Sequence, residues 1–252
     1  FTDIRIVSPN AYKFVGLQNY IRMVQNPNFW ESLGNTLFFA IVALIFELVL
    51  GFLIALLLSQ DVKGVGIMRA LLLPLMLAPV IAGLMWKTML SPGGPINHLL
   101  NLGPYPWLAV PWSARASVIF IEVWISTPFV ALVLLSGLQS MPKEPFEAAQ
   151  VDGASFGFVF RKLMLPMLSP FILIVLLFRV VDVMKLFDII FATTGGGPMQ
   201  ITTTIPILAY KEVFRSYLLG SAIAKVLVLW LINYIVSFWL AGKWRQETAS
   251  VG

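Results

Sequence analysis

The stretch Glu147-Ala-Ala-Gln-Val-Asp152-Gly153-Ala-Ser155, running on to Phe160-Arg161-Lys162-Leu163-Met164-Leu165-Pro166, is a polar island between apolar runs that end near Leu138 and restart near Met167. Pro142 and Pro145 suit a first helical turn, and Phe146, Ala149 and Val151 offer a small apolar face. Gly153 predicts a bend. Ser155 is placed to cap a second short helix carrying Phe156, Phe160 and Leu163, which Pro166 is expected to interrupt as the next apolar run begins. The local pattern is a helix-turn-helix hanging off a membrane, with small alanines where another protein's surface can come close. An ordinary amphipathic loop between two spans would carry the same pattern.

The runs on either side decide the class. Of the 252 residues 59% are hydrophobic and 12% charged, with a mean hydropathy of +0.88, far outside the range of soluble domains. A span needs about 20 apolar residues to cross a hydrocarbon core of roughly 30 Å. Five windows meet that length, at 34–59, 67–90, 115–138, 167–191 and 218–241. Each is predicted as a helix, because an isolated strand leaves its backbone groups unsatisfied in lipid. The fold class is an all-α integral membrane protein, a polytopic helical bundle with five transmembrane helices, read as a single transmembrane domain over 1–252 with the loop 142–166 inside it. In the second window Pro74 and Pro79 predict kinks.

Several chemistries are excluded at once. Cysteine is absent, so there is no disulfide framework, thiolate metal site or cysteine nucleophile, and the single histidine, His98, rules out a histidine-rich metal site. The net charge of +5 and pI near 9.6 do not point to nucleic acid, since the basic residues are dispersed beside hydrophobic runs where they suit lipid headgroups. Gly195-Gly196-Gly197-Pro198 ends a helix rather than cradling a phosphate, because no G-x-x-x-x-G-K-[ST] pattern occurs in the chain. Phe29 and Trp30 suit an aromatic belt or plain interfacial packing.

The E-A-A, D-G-A-S and F-x-x-L-x-L-P spacing resembles the signature loop of ABC importer membrane subunits, of the type I permease fold. The resemblance implies that Glu147, Ala148, Ala149, Asp152 and Gly153 belong to a coupling helix that docks on a cytoplasmic ATPase, with Glu147 meeting a basic residue there and Leu165-Pro166 closing the motif. The strings Phe14-Val15-Gly16-Leu17, Arg69-Ala-Leu-Leu-Leu-Pro74 and Phe187-Asp188 through Thr194-Gly195-Gly196-Gly197-Pro198 resemble the carbohydrate-uptake branch of that family. It implies a permease subunit of an ATP-driven importer for a sugar, polyol or related solute. The implied partners are a second permease subunit, two ATP-binding subunits that hold ATP and Mg, and an extracytoplasmic solute-binding protein. No cofactor, metal site or catalytic residue is expected in this chain, and the lipid bilayer is its surround. It also implies a multi-pass protein of a prokaryotic plasma membrane, with the loop and C-terminus cytoplasmic. Lysine and arginine counts lean the same way, seven on the loop side against five or six opposite. Because the chain opens on Phe1 and related subunits carry one more helix there, a sixth, N-terminal helix is expected upstream.

Charges at mid-membrane depth are the second candidate site. Glu122, Ile125, Ser126 and Phe129 follow i, i+3, i+4, i+7 spacing and share a helix face, while Arg179 and Asp182 are neighbours at i, i+3 on another helix. A charge at the helix centre costs about 2.5 to 3.5 kcal/mol on insertion scales, so these side chains should face a polar cavity or one another. They are therefore expected to contact solute, or else to form a structural ion-pair cluster that includes Glu47. A rival function, an ion-coupled carrier, would use Glu47, Glu122 or Asp182 as its cation site. That rival leaves the Glu147 loop unexplained.

Overall fold

A computed structural model describes residues 1–5, 7, 13–60 and 77–251. Proline sets most of the helix starts, since its fixed φ and missing N–H suit a first turn. After α1 (Gln18–Gln25), prolines open α2 (Pro27–Ser59), α3 (Pro79–Met89), α4 (Pro95–Leu100) and α5 (Pro111–Gln139). The loop of the polar island forms α6 (Glu144–Val151) and α7 (Phe156–Val159), then a π-helical turn over Phe160–Met164 that runs into α8 (Leu165–Val183). After these come α9 (Asp188–Thr193), α10 (Ile205–Phe214) and α11 (Leu219–Val251). Among the described residues extended pairing is confined to the isolated bridges Thr2 to Phe14 and Arg5 to Leu218.

Among the described residues four helical runs are long and apolar enough to cross a membrane: Pro27–Ser59, Pro111–Gln139, Phe156–Thr193 and Leu219–Ala249. They match four of the five expected windows. Of the remaining window, 67–90, residues 67–76 lie outside the described residues and α3 is its described part. Pro74 is among those undescribed positions, while Pro79 starts α3 instead of kinking it. The window at 167–191 is broken: α8 stops at Val183, and α9 begins only at Asp188. Tighter bonds from Lys185 N to Asp182 O and from Leu186 N to Val183 O close α8, and the Leu186 carbonyl accepts from Thr204 Oγ1 (3.0 Å) instead of continuing the ladder. At the C-terminus α11 runs past the window because Lys243-Trp-Arg-Gln-Glu247 are adequate helix formers, and the Ser169 hydroxyl donates to Glu247.

The chain divides into two compact units. The first comprises the described parts of Phe1–Ala43, Leu77–Val123 and Val181–Ile235. In it Phe39, Val118, Ile121, Ile189, Ile190 and Ile205 are fully buried, and α3 lies close on α9 because Gly83 has no side chain to meet Ala192. Phe29 belongs to this interior, whereas Trp30 is exposed and its indole N–H donates to Val24 O (2.8 Å). The second unit comprises the described parts of Leu44–Met76, Trp124–Val180 and Val236–Gly252. Its core is Ala55, Leu58, Val130, Leu134, Leu168 and Val175. Small residues set the helix spacing here: a Cβ on Gly51 would stand 2.5 Å from Val130 Cγ1, and one on Gly137 2.7 Å from the Phe171 ring. Close approach of this kind stands in for the hydrophobic drive that lipid removes.

Candidate functional site

The Glu147 loop is built by local rules. Pro145 sits in the first turn of α6 with Glu144 and Glu147, whose charges favour the positive end of the helix. Gly153 ends α6 at φ +69°, and its N–H donates to Gln150 O (3.2 Å) while that of Ala154 donates to Ala149 O (2.9 Å). Those two bonds form a Schellman turn, which needs a residue comfortable at positive φ. Ser155 then caps α7, its hydroxyl oxygen accepting from Phe158 N at 3.4 Å. The expected interruption at Pro166 is absent. The preceding π turn widens the helix, so the missing N–H of Pro166 falls where the ladder is already irregular and α8 runs straight through it.

Exposure within the loop is uneven. Ala149 is buried and Phe146 half-buried, but Val151 is 88% exposed, because a step of five residues from Phe146 carries it off the apolar face. Phe156 and Phe158 are also exposed, as are Glu147, Ala148 and Asp152. Two recesses flank α6. One, of about 510 Å³, is lined by Pro145, Ala148, Asp152, Ser155 and Phe158; the other, of about 570 Å³, by Leu56, Leu138, Phe146, Glu147 and Gln150.

The mid-membrane residues separate into two groups. Arg179 grips Glu47 with both arms of its fork, Nε to Oε2 at 2.8 Å and Nη2 to Oε1 at 2.9 Å, with Glu47 fully buried. Ile125 and Ser126 are buried in the same unit, and Phe129 is half-buried and edge-on to Phe178 at 6.2 Å. In the other unit Glu122 is buried, whereas Asp182 is exposed and lies 3.6 Å from Lys185 Nζ. Arg179 and Asp182, three residues apart, are thus turned to Glu47 and to Lys185 respectively.

Residues 27–241 match the family described as "Binding-protein-dependent transport system inner membrane component". The chain belongs to that family. Among its relatives, the trehalose/maltose transport system permease protein MalF of Thermococcus litoralis is 36% identical over 93% of this chain and 81% of its own length. The trehalose transport system permease protein SugA of Mycobacterium tuberculosis is 37% identical over 87% of this chain and 72% of its own. The fold is shared with a bacterial ABC transporter involved in the import of the acidic polysaccharide alginate, at a TM-score of 0.80 and 23% identity over 92% of this chain and 84% of that one. This chain is accordingly a permease subunit of the ABC importer class, with the type I helical fold.

The permease also holds polar constructions that reading the sequence missed. Asn35 Nδ2 donates to Gln200 O (3.2 Å) and Thr203 O (3.1 Å), and its Oδ1 accepts from Arg115 Nη2 (3.0 Å). Arg115 Nε donates to Ile201 O at 3.1 Å. Thr202, Thr203 and Thr204 are fully buried, donating to Gly197 O, Gly196 O and Leu186 O. Lys211 donates to Thr203 Oγ1 (3.1 Å), and burial, then repulsion from Arg215, holds its pKa below the ordinary lysine value. Lys225, fully buried, pairs with Glu212 and Ser221 at 2.8 Å each. Asn97 ties the loop after α3 together, donating to Tyr105 O and accepting from the Trp107 indole. The one sequence signal for all of these is a polar side chain placed at the edge of, or inside, an apolar run.

Proposed function

We propose that this chain is one of two membrane subunits enclosing the pathway of an ATP-driven importer for a sugar, polyol or related hydroxyl-rich solute. Its partners in this reading are a second permease chain, two ATP-binding subunits that hold ATP and Mg, and an extracytoplasmic solute-binding protein; this chain holds no cofactor and catalyses no reaction. Relatives named for trehalose and maltose transport support the solute class. The observation that carries the coupling role is a capped helical hairpin whose Val151, Phe156 and Phe158 lie uncovered around Ala148 and Glu147. Uncovered apolar side chains on a fixed scaffold are what docking into another protein's groove requires.

Glu147, Ala148, Ala149, Asp152 and Gly153 form that docking element in this reading, with Leu165 and Pro166 joining it to α8. The loop and the C-terminus then lie in the cytoplasm of a prokaryotic cell, and 1–252 acts as one transmembrane domain. α8 is about 28 Å long at 1.5 Å per residue, enough for one crossing, so the Thr194–Thr204 loop emerges on the opposite side. Solute passage is assigned to Asp182, Glu122, Ser126, Ile125 and Phe129, each within its own unit. For Arg179 the bidentate bond to Glu47 favours the ion-pair role. The same bond disfavours Glu47 as the cation site of an ion-coupled carrier.

Co-expression with the neighbouring chains and reconstitution in proteoliposomes tests the proposal. The expected result is a complex whose ATP turnover rises with loaded binding protein, while the purified single chain turns over none. Robust ATP hydrolysis by this chain alone, or uptake driven by an ion gradient without ATP, would overturn it.

A further inference from the structure

α2 and α5 enter their apolar runs side by side. Arg115, the first residue of the window 115–138, donates to Asn35, the second of the window 34–59, at 3.0 Å. That contact marks the level where hydrocarbon gives way to headgroups, and a cleft of about 470 Å³ opens there, lined by Glu31, Asn35, Phe38, Arg115, Met199 and Gln200. Glu31 stands three residues before its window, about 4.5 Å along the helix, within a headgroup layer about 5 to 7 Å deep. Asn35 and two nitrogens of Arg115 are committed to the loop and to each other. Among the described residues, Arg115 Nη1 and the exposed Glu31 carboxylate make no hydrogen bond, so the cleft presents one unspent donor and one unspent anion. Trp30, next to Glu31, and Trp112, one turn before Arg115, are exposed, as belt residues at an interface are. Leu37, Phe38 and Ile41 are exposed on the deeper turns of α2 and form an apolar track, with Arg115 Cζ 5.5 Å from the centre of the Phe38 ring.

We infer that this cleft holds the headgroup of a phosphatidylethanolamine lipid: Arg115 Nη1 donates to its phosphate, Glu31 accepts from its ammonium, and an acyl chain lies along Leu37, Phe38 and Ile41. This site goes beyond the proposed function and depends only on the chain lying in a bilayer. A charged cleft above an apolar track fits an amphiphile, whereas a free phosphoethanolamine or phosphate would leave the track uncovered. The guanidinium suits a phosphate, and because Ile201 O and Asn35 already fix its Nε and Nη2, little side-chain freedom is lost when Nη1 binds. The two opposite charges select the headgroup. Phosphatidylglycerol offers Glu31 no cation and sets a second negative charge beside it. Choline offers a cation without an N–H, so the carboxylate gains no hydrogen bond.

Native mass spectrometry of the transporter complex, purified in an equimolar mixture of phosphatidylethanolamine, phosphatidylcholine and phosphatidylglycerol, tests the site. The parent should retain phosphatidylethanolamine in preference to the other two. Loss of one charge-assisted hydrogen bond corresponds to about tenfold in affinity, so Glu31→Gln should lower the retained phosphatidylethanolamine by that factor. Glu31→Lys should turn the preference toward phosphatidylglycerol, a reversal that a purely structural role would not produce. Glu31 is exposed and holds no other group in place, so both variants keep the fold. Glycerophosphoethanolamine and inorganic phosphate, offered alone, should not be retained. The chain has no cysteine, so Ile41→Cys introduces a single thiol, and a photoactivated probe attached there should label lipid acyl chains. No preference in the parent, an unchanged preference in Glu31→Lys, or retention of the free headgroup or of phosphate as firmly as the lipid overturns the inference. Labelling of the second membrane subunit from position 41 in place of lipid shows the track covered by protein and overturns it as well.

Discussion

Arg179 and Glu47 stand 132 residues apart and meet through two hydrogen bonds in a buried setting. Each charge is costly to bury alone, and the planar fork matched to a carboxylate is the geometry that best offsets that cost. Removing one partner takes from the other its bidentate match while its charge stays buried, so Arg179→Met should destabilise the protein by about 3 to 5 kcal/mol. The double change Glu47→Leu with Arg179→Met should recover most of that loss. Thermal unfolding of the two variants and the parent in detergent checks both values; equal stability of Arg179→Met and parent would show that the pair contributes nothing. At the same scale Gly153 and Ser155 were legible in advance, since a positive-φ bend and an N-cap depend on neighbours within a few residues. The Glu47 partner of Arg179 was only one of two alternatives, because helix periodicity gives a face and not what that face meets.

The hairpin of α6 and α7 behaves as an element whose conformation is local and whose contacts are external. Among the described residues nothing beyond its chain neighbours lies within 4 Å of a Cβ built on Gly153, so a substitution there meets the backbone cost of positive φ, about 1 to 2 kcal/mol for Ala. Gly153→Ala should therefore reduce solute-stimulated ATPase activity, and Gly153→Asn should retain more of it because Asn tolerates that region. Glu147→Lys should abolish stimulation while membrane insertion persists, since it reverses an exposed charge without touching the packing. Normal stimulated activity in Glu147→Lys would remove Glu147 from the docking surface. The element also departs from local rules in two places: Val151, expected on the apolar face, is exposed, and at Pro166, where a break is expected, a π turn lets the helix continue.

In the whole molecule, the candidate passage residues differ in what they offer a solute. Asp182 is exposed, with Lys185 Nζ at 3.6 Å, while Glu122 and Ser126 are buried. Asp182→Asn should thus shift solute preference or uptake rate more than Ser126→Ala does, with the complex still intact on size exclusion. Unchanged uptake kinetics in both would take these residues out of the pathway.

The apolar windows, the helix starts at prolines, the stop at Gly195 to Pro198 and the fold of the Glu147 loop were determined by the sequence itself, because chain length against membrane thickness, proline's fixed φ and capping all act over a few turns. Which charge Arg179 meets, that Asn35 and Arg115 clamp a loop more than 80 residues further on, that Lys225 buries itself against Glu212, and that α8 ends at Val183 to yield a carbonyl to Thr204 were decided by tertiary structure. In each case a buried polar group must find a hydrogen-bond or ion-pair partner, and at least one of the partners it takes comes within reach only when the chain folds back on itself.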